Sequence, residues 1–254
     1  MVRLGQNFLA DPNLLDAIVR DAELGPGDVV LEVGAGEGVL SERLAAAAAH
    51  LHTVEIDRRL EPALEPVAAL PNVQLHWGDA MKLDLAAFEP APSAMVANLP
   101  YSVATPLILR TIEELPTLRR WTVMVQREIA DRLRAGPGSR TYGSPSAVAQ
   151  LACEVELLRA VDPAVFKPRP RVDSAILRLR RTGPGADAET RKLIRAAFAH
   201  RRKSLSRSLE HVRPGSLERA RGALRELGLP EGARAEALSP DDFAALAGKL
   251  SDTE

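Results

Sequence analysis

The chain's 254 residues carry 46% hydrophobic and 26% charged side chains, the make-up of a globular protein long enough to bury a core without metals or crosslinks. Its one cysteine, Cys153, excludes an intramolecular disulfide framework. No N-terminal segment reads as a signal peptide and no run of ~20 apolar residues reads as a span, so a cytoplasmic protein with no membrane attachment is expected.

Asp11-Pro12-Asn13 marks a helix start, with Leu14, Leu15, Ile18 and Val19 recurring at helical spacing until Gly25-Pro26-Gly27 stops it. Residues 28–33 form a short apolar strand ending in glycines. A helix over 38–49 follows, rich in alanine. Strands are expected over 51–56, 73–77, 93–97 and 121–125, with helices over 58–69, 104–115 and 126–135. Such alternation with short loops is the signature of an open α/β sheet of parallel strands, a Rossmann-like sheet with helices on both faces. After Pro137-Gly138 the pattern changes. Residues 146–160 and 172–181 read as two long strands that close the sheet, separated by the turn Phe166-Lys167-Pro168-Arg169-Pro170. Thr182-Gly183-Pro184-Gly185-Ala186 is a linker, and 188–200, 203–211, 216–227 and 240–250 carry only helical patterns. The expected organisation is therefore a sheet domain over 1–183 and a small all-helical domain over 184–254.

The net charge of −1 hides a segregation. Residues 159–207 hold 14 Lys and Arg against 4 Asp and Glu, whereas residues 1–158 hold 13 against 21. A basic block of this size suits phosphate neutralisation, although a solvated basic face gives the same count.

Four motifs carry chemistry. Gly34-Ala35-Gly36-Glu37-Gly38, between a strand and a helix, lets backbone approach a ligand and leaves helix N–H groups facing it. Its spacing differs from that of dinucleotide pyrophosphate binders, and it lacks the Lys-Ser/Thr of a phosphate-binding loop. Glu55, ending the next strand, can accept ribose hydroxyls. Alone it reads rather as a solvated strand-end acid, and the glycine turn tips it toward a nucleoside. Asp79, in Gly78-Asp79-Ala80, can accept from an adenine amino group or simply shape its own turn. The fourth motif is Asn98-Leu99-Pro100-Tyr101, after the fourth strand. An aromatic amine is a poor nucleophile because its lone pair is delocalised into the ring. The Asn98 side-chain oxygen and a main-chain carbonyl at 99 or 100 can hold both amino hydrogens and steer the nitrogen toward an attacking geometry, with Pro100 fixing the turn. Tyr101 can stack on the base.

With these residues in place, the sequence resembles the family of ribosomal RNA small-subunit adenine dimethyltransferases almost end to end. The resemblance covers Gly5 to Leu9, the glycine turn, Glu55, Gly78 to Ala80 and Asn98 to Tyr101. It continues through Val125-Gln126, Glu128, Ala135 to Gly138, Tyr142-Gly143, Phe166 to Ala175, Phe198 to Lys203, and Arg234 to Ser239. It departs at Ser102, at Ser144-Pro145-Ser146, and in having only Arg3 as a basic residue ahead of Gly5. What it implies is transfer of methyl groups from S-adenosylmethionine to the N6 amines of two adjacent adenines near the 3′ end of small-subunit rRNA, within a pre-30S particle, by an enzyme acting as a monomer. It further implies that Asn7 and Leu9 close over the cofactor. Gly34 and Gly36, Glu55 and Asp79 would hold its methionine side, ribose and adenine. Asn98 would serve both cofactor and target, and Phe166 would be either a second aromatic platform opposite Tyr101 or an apolar anchor of its turn. Arg195, Arg201, Arg202, Lys203 and Arg207 would contact phosphates, giving sequence-independent positioning.

Three other readings compete: a large-subunit rRNA adenine methyltransferase of the antibiotic-resistance type, a non-catalytic RNA-binding relative, and a nicotinamide-dependent dehydrogenase. Retention of Asn98 and Tyr101 argues against the second, and the glycine spacing against the third. The five histidines show no ligand spacing with Cys or Asp, so no metal is expected.

Overall fold

The computed structural model describes residues 8–251, and these resolve into two compact units, 8–130 with 154–181 and 131–153 with 182–251. In the first, a two-residue strand β1 (Phe8–Leu9) leads to helix α1 (Pro12–Asp21), capped by the Asp11 carboxylate accepting from Leu14 N at 3.1 Å. Then come β2 (Val29–Val33), α2 (Val39–Ala47), β3 (His50–Glu55), α3 (Glu61–Ala68) and β4 (Val73–Trp77). They are followed by β5 (Ala94–Asn98), α4 (Ala104–Glu114), β6 (Arg120–Gln126) and α5 (Arg127–Leu133). Beyond α6 (Ser144–Gln150) lie β7 (Cys153–Val161), β8 (Phe166–Lys167) and β9 (Ser174–Arg181).

The seven-stranded sheet has the order β4-β3-β2-β5-β6-β9-β7. β2, β3, β4, β5 and β6 run parallel, and β9 is antiparallel to β6. Val30, Leu31, Leu51, Met95, Val123 and Leu177 are fully buried along these strands, as expected when helices cover both faces. The chain leaves β2 toward β3 on one side and returns to β5 on the other. The carboxyl ends of β2 and β5 therefore form a topological switch point, where open α/β sheets bind ligands.

The second unit carries α6, α7 (Ala188–Ala199), α8 (Leu205–Val212), α9 (Leu217–Glu226) and α10 (Pro240–Ser251). Its centre is an aromatic chain: Tyr142 edge-on to Phe198 at 5.8 Å, and Phe198 beside Phe243 at 5.7 Å.

Two expectations change. Residues 144–150 are helical rather than the start of a strand, because Gly143 and Pro145 supply a helix entry and Ser146 Oγ accepts from Gly143 N. Residues 131–153 also cluster with the helical unit rather than with the sheet. Gly138 N donates to Glu236 O at 2.7 Å, and Tyr142 joins that unit's core.

Candidate active site

A cavity of about 390 Å³ opens at the switch point, in the size range of sites for drug-sized ligands. Its walls come from the ends of four parallel strands. From β2, Gly34 and Gly36 adopt φ of +84° and +60°, conformations that L side chains rarely take. A Cβ on Gly34 would meet Pro100 Cδ at 3.4 Å, so the glycine turn and the Asn98–Tyr101 turn lie directly against each other. The Phe8 ring covers Gly36, where a Cβ would meet it at 3.2 Å, and Leu9 also lines the cavity.

Glu55 ends β3 and is 3% exposed. Its Oε2 accepts from Gly36 N at 2.9 Å, and its Oε1 accepts from Ile56 N at 2.9 Å and Asp57 N at 2.8 Å. Three N–H donors fix the carboxylate and leave acceptor capacity on Oε2 for a hydroxyl. Asp79 follows β4. Its Oδ1 accepts from Met81 N at 2.9 Å, and Lys82 Nζ lies 3.8 Å from Oδ2, so it shapes its own turn while standing on the cavity wall.

Asn98 ends β5, in register with Met124 of β6, and lines the cavity with Leu99, Pro100, Tyr101, Ser102 and Val103. Leu99 N donates to Met124 O at 3.0 Å, fixing the chain as it leaves the sheet. The Tyr101 hydroxyl lies 2.6 Å from Ser174 Oγ on β9, and burial raises its pKa.

The structure thus brings Leu9, Gly34, Gly36, Glu55, Asp79, Asn98, Pro100 and Tyr101 around one cavity. Asn7 lies outside the described residues. Phe166 is not on the cavity wall: it is 2% exposed and belongs to the core cluster of Leu9, Leu15, Ile18, Val161 and Ile176. β8 pairs with β1, placing Leu9 opposite Phe166, and this pairing turns the phenyl ring into the core.

One further cavity residue, Glu32, belongs to no motif in the sequence. It is 1% exposed, lines the same cavity, and accepts on Oε2 from Ser41 Oγ at 2.5 Å and Thr53 Oγ1 at 2.7 Å. Burial pushes its pKa up to about 7 against the pull of the two hydroxyls, with the nearby Glu55 adding a smaller push. A lone acid in an otherwise aliphatic, doubly covered strand was the available signal. Ile56, 51% exposed, also lines the cavity with an apolar surface suited to a flat ring.

In the helical unit, Arg201 donates to Glu236 Oε2 at 2.9 Å and to Arg140 O at 2.6 Å, and Lys203 Nζ contacts His211 Nε2. Arg195, Arg202 and Arg207 are exposed and make no ion pair among the described residues.

A family model described as ribosomal RNA adenine dimethylase matches residues 2–252. The chain belongs to that family. Ribosomal RNA small subunit methyltransferase A of Rubrobacter xylanophilus is 46% identical over 253 residues, covering 98% of this chain and 94% of that protein. The protein of the same name from Streptomyces coelicolor is 44% identical, covering 96% and 88%. Among solved structures, a dimethyladenosine transferase from Plasmodium falciparum matches with a TM-score of 0.81 at 27% identity, covering 96% of this chain and 98% of that one. The 23S rRNA methyltransferase ErmE matches with 0.71 at 30% identity, covering 96% and 100%. As an rRNA adenine dimethylase, the chain is an S-adenosylmethionine-dependent methyltransferase of the class I fold. Among the described residues no helix is long and apolar enough to cross a membrane.

Proposed function

We propose that this family member methylates the N6 amines of two adjacent adenines near the 3′ end of small-subunit rRNA, acting as a monomer on a pre-30S particle in the cytoplasm. The observation that carries the reading is the direct contact of Gly34 with Pro100 on the wall of one cavity, which puts a nucleoside-binding turn and the Asn98–Tyr101 turn within reach of one ligand pair.

The residues fit S-adenosylmethionine. Positive-φ glycines give the close approach its methionine portion needs, Glu55 offers an anchored acceptor to a ribose, and Asp79 with Ile56 offers an acceptor and an apolar face to an adenine. When bound, the cofactor supplies an electrophilic methyl group. The chain's part is alignment. Asn98 and a neighbouring carbonyl hold the target amine by its hydrogens, Tyr101 stacks on the base with its hydroxyl steadied by Ser174, and Leu9 and Phe8 close one side against water. Asn7 takes part in that closure by family resemblance. Arg195, Arg202 and Arg207, with Arg201 and Lys203 beside them, grip phosphates from the helical unit. The name small subunit methyltransferase A, carried by relatives 38% to 46% identical over nearly the whole chain, supports the small-subunit target.

The test is incubation of unmodified small subunits with labelled S-adenosylmethionine, followed by mapping of modified adenines. Two adjacent dimethyladenosines near the 3′ end are expected. Small subunits left unlabelled, while large subunits incubated in parallel take up label, would overturn the proposal.

A further inference from the structure

The turn at 79–83 forms one cavity wall and is closed mostly by its own hydrogen bonds. Asp79 O accepts from Lys82 N at 2.8 Å and Leu83 N at 3.0 Å, while Asp79 Oδ1 accepts from Met81 N. None of these bonds ties the turn to a neighbouring element. Arg110 of α4 does so: its Nη1 donates to Ala80 O at 2.6 Å and its Nη2 to Leu83 O at 2.9 Å. The third edge of the guanidinium is taken by Glu114, whose Oε2 accepts from Nε at 2.7 Å. The side chain is only 17% exposed, so these bonds are partly shielded from water. Arg110 lies about two helical turns beyond Ser102 and Val103, which also line the cavity. One helix therefore carries the end of the target-base turn and clamps the turn that bears Asp79.

We infer that Arg110 is a positioning residue that holds Asp79, Ala80 and Met81 in register for the adenine end of the cofactor. The inference rests on the proposed reading of the cavity. A planar fork suits this task, because it reaches two carbonyls and a carboxylate at once. A lysine presents a single nitrogen and can hold only part of that set. Loss of the clamp leaves the Gly34–Gly38 turn and Glu55 untouched, so the damage falls on recognition of the base rather than on the ribose or methionine parts.

The test compares binding of S-adenosylhomocysteine and S-inosylhomocysteine to the wild-type chain, Arg110→Met and Arg110→Lys, by calorimetry. The inosyl compound lacks the amino group that Asp79 would recognise. In Arg110→Met the Kd for S-adenosylhomocysteine should rise roughly tenfold, the scale of one charged hydrogen bond, and its preference over the inosyl compound should shrink. Arg110→Lys should fall between, and serves as the readout if Arg110→Met fails to fold. An unchanged preference ratio in these variants, even with both affinities lowered together, would overturn the inference, because a merely structural arginine weakens both ligands alike. A wild-type chain that binds neither ligand would sink the methyl-transfer reading, and this inference with it.

Discussion

At the scale of single residues, the site divides into groups that align and groups that titrate. Asn98 belongs to the first. It stands at the end of β5 on the cavity wall, so removing its side chain should spare RNA binding, which draws on other residues, while the target amine loses an acceptor. Asn98→Ala is expected to lower single-turnover methyl transfer by about 10²-fold or more, the scale seen when one preorganised polar partner is removed, with RNA affinity within a few fold of wild type. Equal loss of both in filter-binding and rate measurements would contradict the role. Glu32 belongs to the second group. With a folded-state pKa of about 7 against 4.5 for an unperturbed carboxyl, the folded chain holds a proton that the unfolded chain has released between those values. Its contribution to stability is therefore full below pH 4.5 and is lost as pH rises toward 7, by about 3 kcal/mol over the window. Glu32→Gln keeps the shape and removes the proton. The difference in unfolding free energy between wild type and variant, followed by denaturant titration from pH 4.5 to 8, should drift by that amount in favour of the variant. A flat difference would mean that Glu32 is ionised throughout.

At the scale of elements, β1 and β8 carry the lesson. Phe166 reads from sequence as either a base platform or an apolar anchor, and the two-residue pairing of β1 with β8 places its ring in the core beside Leu9, Ile18 and Ile176. Phe166→Leu should then keep most activity, whereas Phe166→Ala should lower stability by about 3–5 kcal/mol with kcat per folded molecule little changed. A large kcat loss in Phe166→Leu at unchanged melting temperature would restore the platform role. The parallel strands, the helices between them and the residues on the cavity wall were legible because each rests on a local cue: an apolar run, a glycine turn, a polar residue at a strand end. β1 and β8 were not, since two-residue strands have no periodicity, and their pairing joins positions far apart in the chain. Residues 144–150 misled for a related reason. Val148, Ala149 and the residues up to Cys153 form an apolar stretch that fits a buried strand or a buried helix turn equally, and only the Gly143–Pro145 entry decides it. Glu32 escaped notice because burial cannot be read from identity alone.

At the scale of the whole molecule, the basic block over 159–207 splits into two populations once partners are known. Arg159 pairs with Asp21, whose carboxyl it holds below the usual carboxylate range, and Arg178 and Arg180 both reach Glu23. Arg181 donates to Leu118 O and Ile112 O. Arg159, Arg178 and Arg180 are paired with acids of the sheet unit and offer less unbalanced charge to a phosphate, while Arg181 is held in place by main-chain carbonyls. Arg195, Arg202 and Arg207 are exposed in the helical unit and make no ion pair among the described residues, so they have charge to spare. Counterion release makes the logarithm of affinity fall with the logarithm of salt by about 0.7 to 0.9 per neutralised phosphate. Replacing all three with glutamine should therefore lower the slope by roughly two to three, and weaken binding more at low salt than at high. Arg159→Gln serves as the control: it removes the same charge from the same sequence block, but from a matched pair, and should leave the slope within error. Should the two variants trade places, the strand arginines would be the phosphate-binding set and the helical unit would have some other task.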